Sequence, residues 1–249
     1  MKFFIINLKK SVDRKKYMES QLTPLGVDYS FIEAFEPGTD RFNKISRYNN
    51  KKRLNRTGYP MSGGEIGCFA SHYYLWKNCV ALDETIVALE DDLILSNDFS
   101  NTVNELEKLI KDYKYIKLHG LFEYKRCIVE KLSGNRAIVK YFKPPAGTQG
   151  YILTPAAAKR FLDKANEWYE PVDNYMDRFW FHGIECYTVV PSAVVEIDHD
   201  NNTVIERSKK PHLPLLQKIK KEILRGSADA IMYLHNIIFM MKKFFKLIP

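Results

Sequence analysis

Two kinds of apolar pattern alternate along this chain. Phe3 to Leu8 is a short continuous apolar run, the pattern of a strand buried on both faces. Ser11 follows as a candidate N-cap for a polar helix reaching about Leu22, and Val27 to Phe35 reads as a second strand, giving a βαβ opening. Ser62 and Glu65 have capping-box spacing, and behind them Ile66, Phe69, Ala70, Tyr73, Tyr74 and Trp76 recur at helical intervals. After an Asp83-Glu84 turn comes a second apolar run, Thr85 to Leu89, which stops at three consecutive acids.

The alternation continues with a helix over about 99–111, a strand over 115–118 and shorter strands near Ile128 and Ile138. Gly147-Thr-Gln-Gly150 leads into a strand over 151–153, and Thr154-Pro155 supplies the N-cap and first-turn proline of a helix over 156–166. A helix over 174–181 and strands over 187–190 and 194–197 complete an α/β domain spanning residues 1–212, with a mixed, mainly parallel sheet flanked by helices. Residues 36–60 lose all periodicity and predict a long loop or lid.

Beyond His212 the pattern changes. Leu215, Leu216, Ile219, Ile223 and Leu224 recur at helical spacing between lysines, and a second apolar run covers 231–241. That run is about half the length a membrane span needs. Residues 213–249 therefore predict a basic, amphipathic helix pair lying on an anionic membrane surface, with packing against the domain or a second subunit as the other arrangement.

Charge sharpens this picture. The chain carries 38 Lys or Arg against 30 Asp or Glu, a net +8 over 249 residues, and the excess is clustered. Arg41, Lys44, Arg47, Lys51, Lys52, Arg53 and Arg56 lie together without one acid, and the tail is basic as well. Such patches attract phosphate on a lipid headgroup, a glycolipid or a nucleic acid. The four cysteines lack CxxC spacing and read as free thiols of a reducing compartment. The first residues lack the long apolar stretch of a signal peptide, which predicts a cytoplasmic chain. No P-loop, dinucleotide glycine fingerprint or Ser/His/Asp order points to an ATPase, dehydrogenase or hydrolase.

Candidate chemistry centres on Glu90-Asp91-Asp92. Ligand sites in open α/β sheets lie at the carboxyl ends of strands, and three adjacent acids there repel one another unless a cation joins them. A hard divalent ion that also grips substrate phosphates is one solution; Glu90 and Asp92, two apart on extended backbone, would point the same way. An acidic turn preceding a helix is the other. Gln149 and Gly150 are candidate sugar contacts, because glycine lets backbone approach a ligand closely. Tyr151, Tyr175 and Trp180 are candidate stacking partners for a hexose face, set against the core role of most aromatics.

The set Ile6-Asn7-Leu8, Asp13-Arg14, Gly64-Glu65-Ile66-Gly67-Cys68 with Ser71-His72 and Trp76, Leu89-Glu90-Asp91-Asp92, Gly150-Tyr151-Ile152-Leu153 with Ala157-Ala158, and Pro171-Val172-Asp173 resembles glycosyltransferase family 25. The likeness runs in chain order over about residues 3–207. It implies a GT-A-like (Rossmann-like) fold with a C-terminal helical tail outside it, a UDP-hexose donor, inversion at the anomeric carbon, and a manganese or magnesium ion held by Glu90, Asp92 and His199. It also implies Asp173, with Asp177 as second choice, as the general base. Asn7, Leu8, Arg14, Glu65, His72, Asp91, Gln149 and Gly150 become donor-binding candidates, although Arg14 is equally placed to pair with Asp13. The implied partners are a lipooligosaccharide or lipopolysaccharide acceptor and the inner face of the cell membrane, reached through the tail, with no nucleic acid. A protein or capsule acceptor, or a non-catalytic basic module binding membrane or RNA, are the competing readings; neither galactose over glucose nor the oligomeric state follows from the sequence.

Overall fold

The computed structural model describes residues 1–197 and 213–245. The opening is the expected βαβ unit: β1 (Lys2–Asn7), α1 (Val12–Leu22) and β2 (Tyr29–Glu33), with β1 and β2 parallel. Two short helices, α2 (Asp40–Asn43) and α3 (Asn50–Thr57), precede α4 (Gly63–Leu82); then come β3 (Ile86–Glu90), β4 (Leu93–Leu95), α5 (Phe99–Tyr113) and β5 (Tyr115–Lys117). The hairpin β6 (Arg126–Lys131) and β7 (Ala137–Tyr141) leads to β8 (Gly150–Leu153), α6 (Pro155–Lys164), α7 (Val172–Met176), α8 (Phe179–His182), β9 (Tyr187–Val190), β10 (Val194–Glu196) and α9 (Leu215–Phe244).

Eight strands form one mixed sheet in the order β2-β1-β3-β8-β5-β9-β7-β6, and β4 pairs with β10 in a separate ribbon. Strand β1 runs parallel to both β2 and β3, and β5 runs parallel to β9, whereas β8 is antiparallel to both of its neighbours. Side chains of a strand alternate between faces, so β1 feeds two cores. Phe4 and Ile6 pack with the buried side of α4 and α6, including Phe69, Trp76 and Phe161. Phe3 and Ile5 pack with Met18 and Leu22 of α1 and with Phe99, Val103 and Leu106 of α5.

Local signals placed most elements correctly. Ser62 and Glu65 make both bonds of the capping box, with Ser62 Oγ accepting from Glu65 N at 3.2 Å and Glu65 accepting from Ser62 N at 2.7 Å. Thr154 caps α6 by accepting from Ala157 N. Gly67 is required by packing: a Cβ there would lie 2.2 Å from the Phe35 carbonyl oxygen, so α4 approaches the end of β2 more closely than any side chain permits.

Three expectations are corrected. Residues 36–60 are not a featureless lid, because their cations find fixed partners. Arg41 donates to Glu33 O and stacks on Phe35, buried Arg53 donates to the Tyr59 and Tyr169 carbonyls, and Lys52 pairs with Glu167. The helix expected over 174–181 divides into α7 and α8. The tail is one continuous helix, not a pair, and it docks on the domain through Met232, Asn236 and Phe239, with Asn236 Nδ2 donating to Phe142 O at 2.6 Å.

Gly67→Ala is expected to cost about 3 kcal/mol of unfolding free energy, since the obstructing atom is backbone and not a yielding side chain. Gly226→Ala, on the open surface of α9, should be neutral or stabilising by about 1 kcal/mol; chemical denaturation of the two variants checks the contrast.

Candidate functional site

Strand β3 ends at Glu90 and the chain turns, so the alternation that would have aimed Glu90 and Asp92 in one direction stops at the strand end. Glu90 engages the α4 side: its Oε1 accepts from Thr148 Oγ1 at 2.6 Å and lies 3.7 Å from His72 Nε2. Asp91 and Asp92 engage α1. Arg14 Nη1 reaches Asp91 Oδ1 at 3.2 Å and Asp92 Oδ2 at 3.1 Å, and buried Asn7 donates to Asp91 Oδ2 at 2.7 Å. Arg14 thus pairs across the sheet end with the acidic triplet, not with neighbouring Asp13. The turn is held from behind by the β4–β10 ribbon, where Ile197 N donates to Asp92 O at 2.9 Å.

One arginine does not neutralise three acids. Burial pushes the Asp91 carboxyl above its ordinary value, against the Asn7 hydrogen bond and the Arg14 charge. Burial, then the neighbouring Glu90 charge, raises Asp92 to about 7 despite Arg14. Glu90 goes the other way: burial opposes its charge, but His72, Thr148 and Arg14 together hold it below the usual carboxylate range. Among the described residues, Asp92 Oδ1 and His72 Nε2 are buried without a hydrogen-bond partner. Asp92 Oδ1, and His72 Nε2 in the tautomer that carries its proton on Nδ1, can each offer an electron pair beside this negative charge, an arrangement that suits a divalent cation.

Helix α4 lines the other wall. Cys68 and His72, one turn apart, face Glu90, and the three ligand atoms lie within 4.8 Å of one another. His72 is 1% exposed; its Nδ1 lies 2.8 Å from the Tyr151 hydroxyl, which also accepts from Trp76 Nε1 at 3.2 Å. Burial, with the charges of Glu90 and Asp173, holds the Cys68 thiol well above its ordinary value. That places Asp173, half-buried in the first turn of α7, on the same side of the site, with its Oδ1 accepting from Asn174 N at 2.8 Å.

Several expected residues have other work. Asp177 is buried with both oxygens engaged, accepting from Lys117 Nζ at 2.5 Å and from Ala146 N at 2.9 Å, so neither is free for an acceptor. Glu65 caps α4. The Leu8 carbonyl accepts from Ser11 N at the start of α1. Gly150 is inside the sheet, where a Cβ would meet Leu89, Val194 and Leu118 at 3.2–3.4 Å, so its missing side chain serves packing and not sugar access. Gln149 does reach the site edge: its carbonyl accepts from Glu90 N at 2.8 Å and its side chain donates to Glu196 at 2.5 Å. Tyr151 and Tyr175 are buried in the core, and Trp180 lies edge-on to Phe179. His199, with its flanking aspartates, lies outside the described residues.

Sequence reasoning missed Thr148, Lys117 and the ligand geometry of Cys68. The Cys68/His72 spacing, four apart on a helix, was a usable signal. Thr148 had none, because its partner Glu90 is 58 residues away.

The family profile described as "Glycosyltransferase family 25 (LPS biosynthesis protein)" matches residues 1–176, and the chain belongs to that family. Its acidic triplet and α4 wall sit at the carboxyl end of a parallel strand pair, in a mixed α/β domain. It is 30% identical over 186 residues to a glycosyltransferase 25 family member of Aedes aegypti, covering 70% of this chain and 30% of that protein. It is 23% identical to the lipooligosaccharide biosynthesis protein lic2B of Haemophilus influenzae, covering 63% of this chain and 60% of the relative. Against the lacto-N-neotetraose biosynthesis glycosyltransferase LgtE of Neisseria meningitidis identity is 26%, covering 80% and 75%. The chain therefore spans under two thirds of the first two relatives' lengths. Among solved structures, a glycosyltransferase involved in glycosylation of the major capsid of PBCV-1 overlaps 75% of this chain and 79% of its own, at 12% identity and a TM-score of 0.40.

The Asp92 shift has a measurable consequence. Its carboxyl is held at about 7 in the fold against an ordinary 3.8, so the folded chain binds that proton more tightly than the unfolded one. The stability from this group is full below pH 4 and lost as pH rises through 7. Without added divalent ions, Asp92→Asn should melt higher than the parent at pH 8, by roughly 2–4 °C, with the difference vanishing near pH 4; equal melting temperatures at pH 8 would contradict the assigned environment.

Proposed function

We propose that the chain is an inverting hexosyltransferase that moves galactose or glucose from a UDP-sugar onto the saccharide of a lipooligosaccharide or lipopolysaccharide. The single observation that carries this reading is the under-neutralised carboxylate group at the carboxyl end of β3, with Asp92 Oδ1 buried and unpartnered among the described residues, in a chain of glycosyltransferase family 25. The relatives lic2B and LgtE carry lipooligosaccharide and lacto-N-neotetraose biosynthesis in their names, which supports a glycolipid acceptor. Similarity to procollagen galactosyltransferase 1-A of Xenopus laevis, 31% over 176 residues, makes a polypeptide acceptor the alternative to test.

Each named residue then has a task. Glu90 and Asp92, on the two sides of the turn, are the carboxylates that would hold a hard divalent ion such as manganese or magnesium, which when bound supplies a Lewis acid to the departing diphosphate. Arg14 and Asn7 hold the second and third acids in place and present the end of β1 to the nucleotide. Asp173 takes the proton of the acceptor hydroxyl as that oxygen attacks the anomeric carbon; the bond from this carbon to the phosphate oxygen breaks, UDP leaves, and configuration inverts. His72 and Gln149 border the donor site, where they orient and shield it from water.

Helix α9 supplies the membrane contact in this reading. Leu215, Leu216, Ile219 and Ile223 are exposed, as are Ile237 and Phe244, and lysines flank them. No described helix is long and apolar enough to cross a bilayer, and such a face suits the surface of an anionic inner leaflet, reached from the cytoplasm. Lys51, Arg56 and Lys220 border a groove of about 330 Å³ between α3 and α9, suited to phosphate on the same lipid surface.

A donor screen with and without manganese, reading UDP release and the product anomer by NMR, tests the reaction. Transfer from UDP-galactose or UDP-glucose with inversion is expected, and Asp92→Asn should lower kcat/KM by on the order of 10²-fold or more. Turnover that survives both Asp92→Asn and metal chelation overturns the assignment. Offering lipooligosaccharide and collagen-like peptide side by side decides the acceptor. Leu216→Glu with Ile219→Glu should abolish co-sedimentation with anionic vesicles while leaving the melting temperature unchanged; retained sedimentation removes the tail as the contact.

A further inference from the structure

The wall of the site formed by α4 carries donors of a different chemical character from the carboxylates. We infer that Cys68, His72 and Glu90 form a binding site for a thiophilic divalent cation, zinc or cobalt, distinct in its ligands from the pair Glu90 and Asp92. The three ligand atoms, Sγ, Nε2 and a carboxylate oxygen, lie within 4.8 Å of one another, with Nε2 3.7 Å from Glu90 Oε1. Four-coordinate zinc, with bonds of about 2.0–2.3 Å to such donors, places ligand atoms roughly 3.3–3.8 Å apart. The histidine–carboxylate pair already has that spacing, and Cys68 Sγ lies within 4.8 Å of both.

His72 is the independent sign that the site takes a ligand. It is 1% exposed, its Nε2 has no hydrogen-bond partner, and that nitrogen faces Glu90. A buried imidazole nitrogen is expected to be satisfied. The other nitrogen is held by the Tyr151 hydroxyl at 2.8 Å, itself fixed by Trp76 Nε1 at 3.2 Å. This is the outer support that metal-bound histidines use: with Nδ1–H donating to Tyr151, the lone pair of Nε2 is free to bind a metal.

The donor set selects the ion. One thiolate, one imidazole and one carboxylate favour zinc or cobalt over magnesium or calcium, which prefer all-oxygen shells. On binding, the Cys68 thiol loses its proton to solvent and the sulfur–metal bond replaces it. Among the described residues three protein ligands converge, so four-coordinate binding takes a fourth ligand such as water or a substrate oxygen. Glu90 belongs to both ligand sets, so on the donor-site reading above an ion here competes with the one that serves transfer, but the site itself does not depend on that reading.

Cobalt titration of the full chain, free of nucleotide, provides the test. One equivalent should produce a near-ultraviolet sulfur-to-cobalt charge-transfer band together with visible bands of a four-coordinate ion. Cys68→Ser should remove the sulfur band, His72→Gln should weaken binding at least tenfold, and Asp92→Asn should retain the band even where it abolishes UDP-sugar turnover. In the unaltered protein, saturating zinc should protect Cys68 from iodoacetamide and leave half-buried Cys127 reactive, as mapped by mass spectrometry. Absence of the sulfur band, its persistence in Cys68→Ser, or undiminished alkylation of Cys68 under zinc overturns the proposal. Retention of the band with no UDP-hexose turnover in the parent protein would leave this site standing and remove only the transferase reading.

Discussion

Among the described residues, negative charge at the end of β3 exceeds the positive charge brought to it, and much of the surrounding architecture serves to contain that imbalance. Two of the three carboxylates, Asp91 and Asp92, share one guanidinium, from Arg14, while Glu90 is held by Thr148. Water would screen their repulsion, but the turn is partly buried between α1, α4 and the β4–β10 ribbon, so screening is weak and the charged forms of Asp91 and Asp92 are penalised. A fold that tolerates such a cost keeps the carboxylates ready for a cation or for a cationic complex of a phosphate-bearing ligand.

Holding these groups in place requires rigid supports drawn from distant parts of the chain. Thr148 binds Glu90, and the loop carrying Thr148 is clamped at Ala146, whose N–H donates to Asp177 and whose carbonyl accepts from Lys117. Ala146 has a positive φ of 58°, a conformation that costs free energy in a non-glycine residue and persists only where its surroundings impose it. The buried Lys117–Asp177 pair is that imposition: its charges compensate one another, and each partner also binds the backbone of Ala146. On the opposite wall, Gly67 lets α4 close against β2 and so brings Cys68 and His72 to the level of the strand end.

The tail follows a different logic. One side of α9 contributes Met232, Asn236 and Phe239 to the domain surface, with Phe239 beside Tyr187 and His235 beside Phe179. The rest of the helix leaves large apolar side chains in solvent between lysines. Packing on the domain therefore occupies one face of this element, and its other large apolar side chains, among them Leu216, Ile219 and Phe244, are exposed.

Features governed by near neighbours were legible in the amino-acid order. The continuous apolar run of β1, the Ser62–Glu65 capping box, the Thr154 cap and the acids closing the run before Leu93 depend on near neighbours in the chain, so the chain alone determined where these elements start and stop. The family motifs were equally readable because they are local strings. Partner choice was not. Arg14 reaches the acidic triplet 77 residues away, Asp177 is sealed by Lys117 from 60 residues away, and Gly150 serves the core while Gly67 serves the helix approach. Each of these depends on the order β2-β1-β3-β8-β5, which sets the strands side by side and decides which ends share a space. Hydrogen bonds and charges act over a few ångströms, and only the folded sheet brings those distances about.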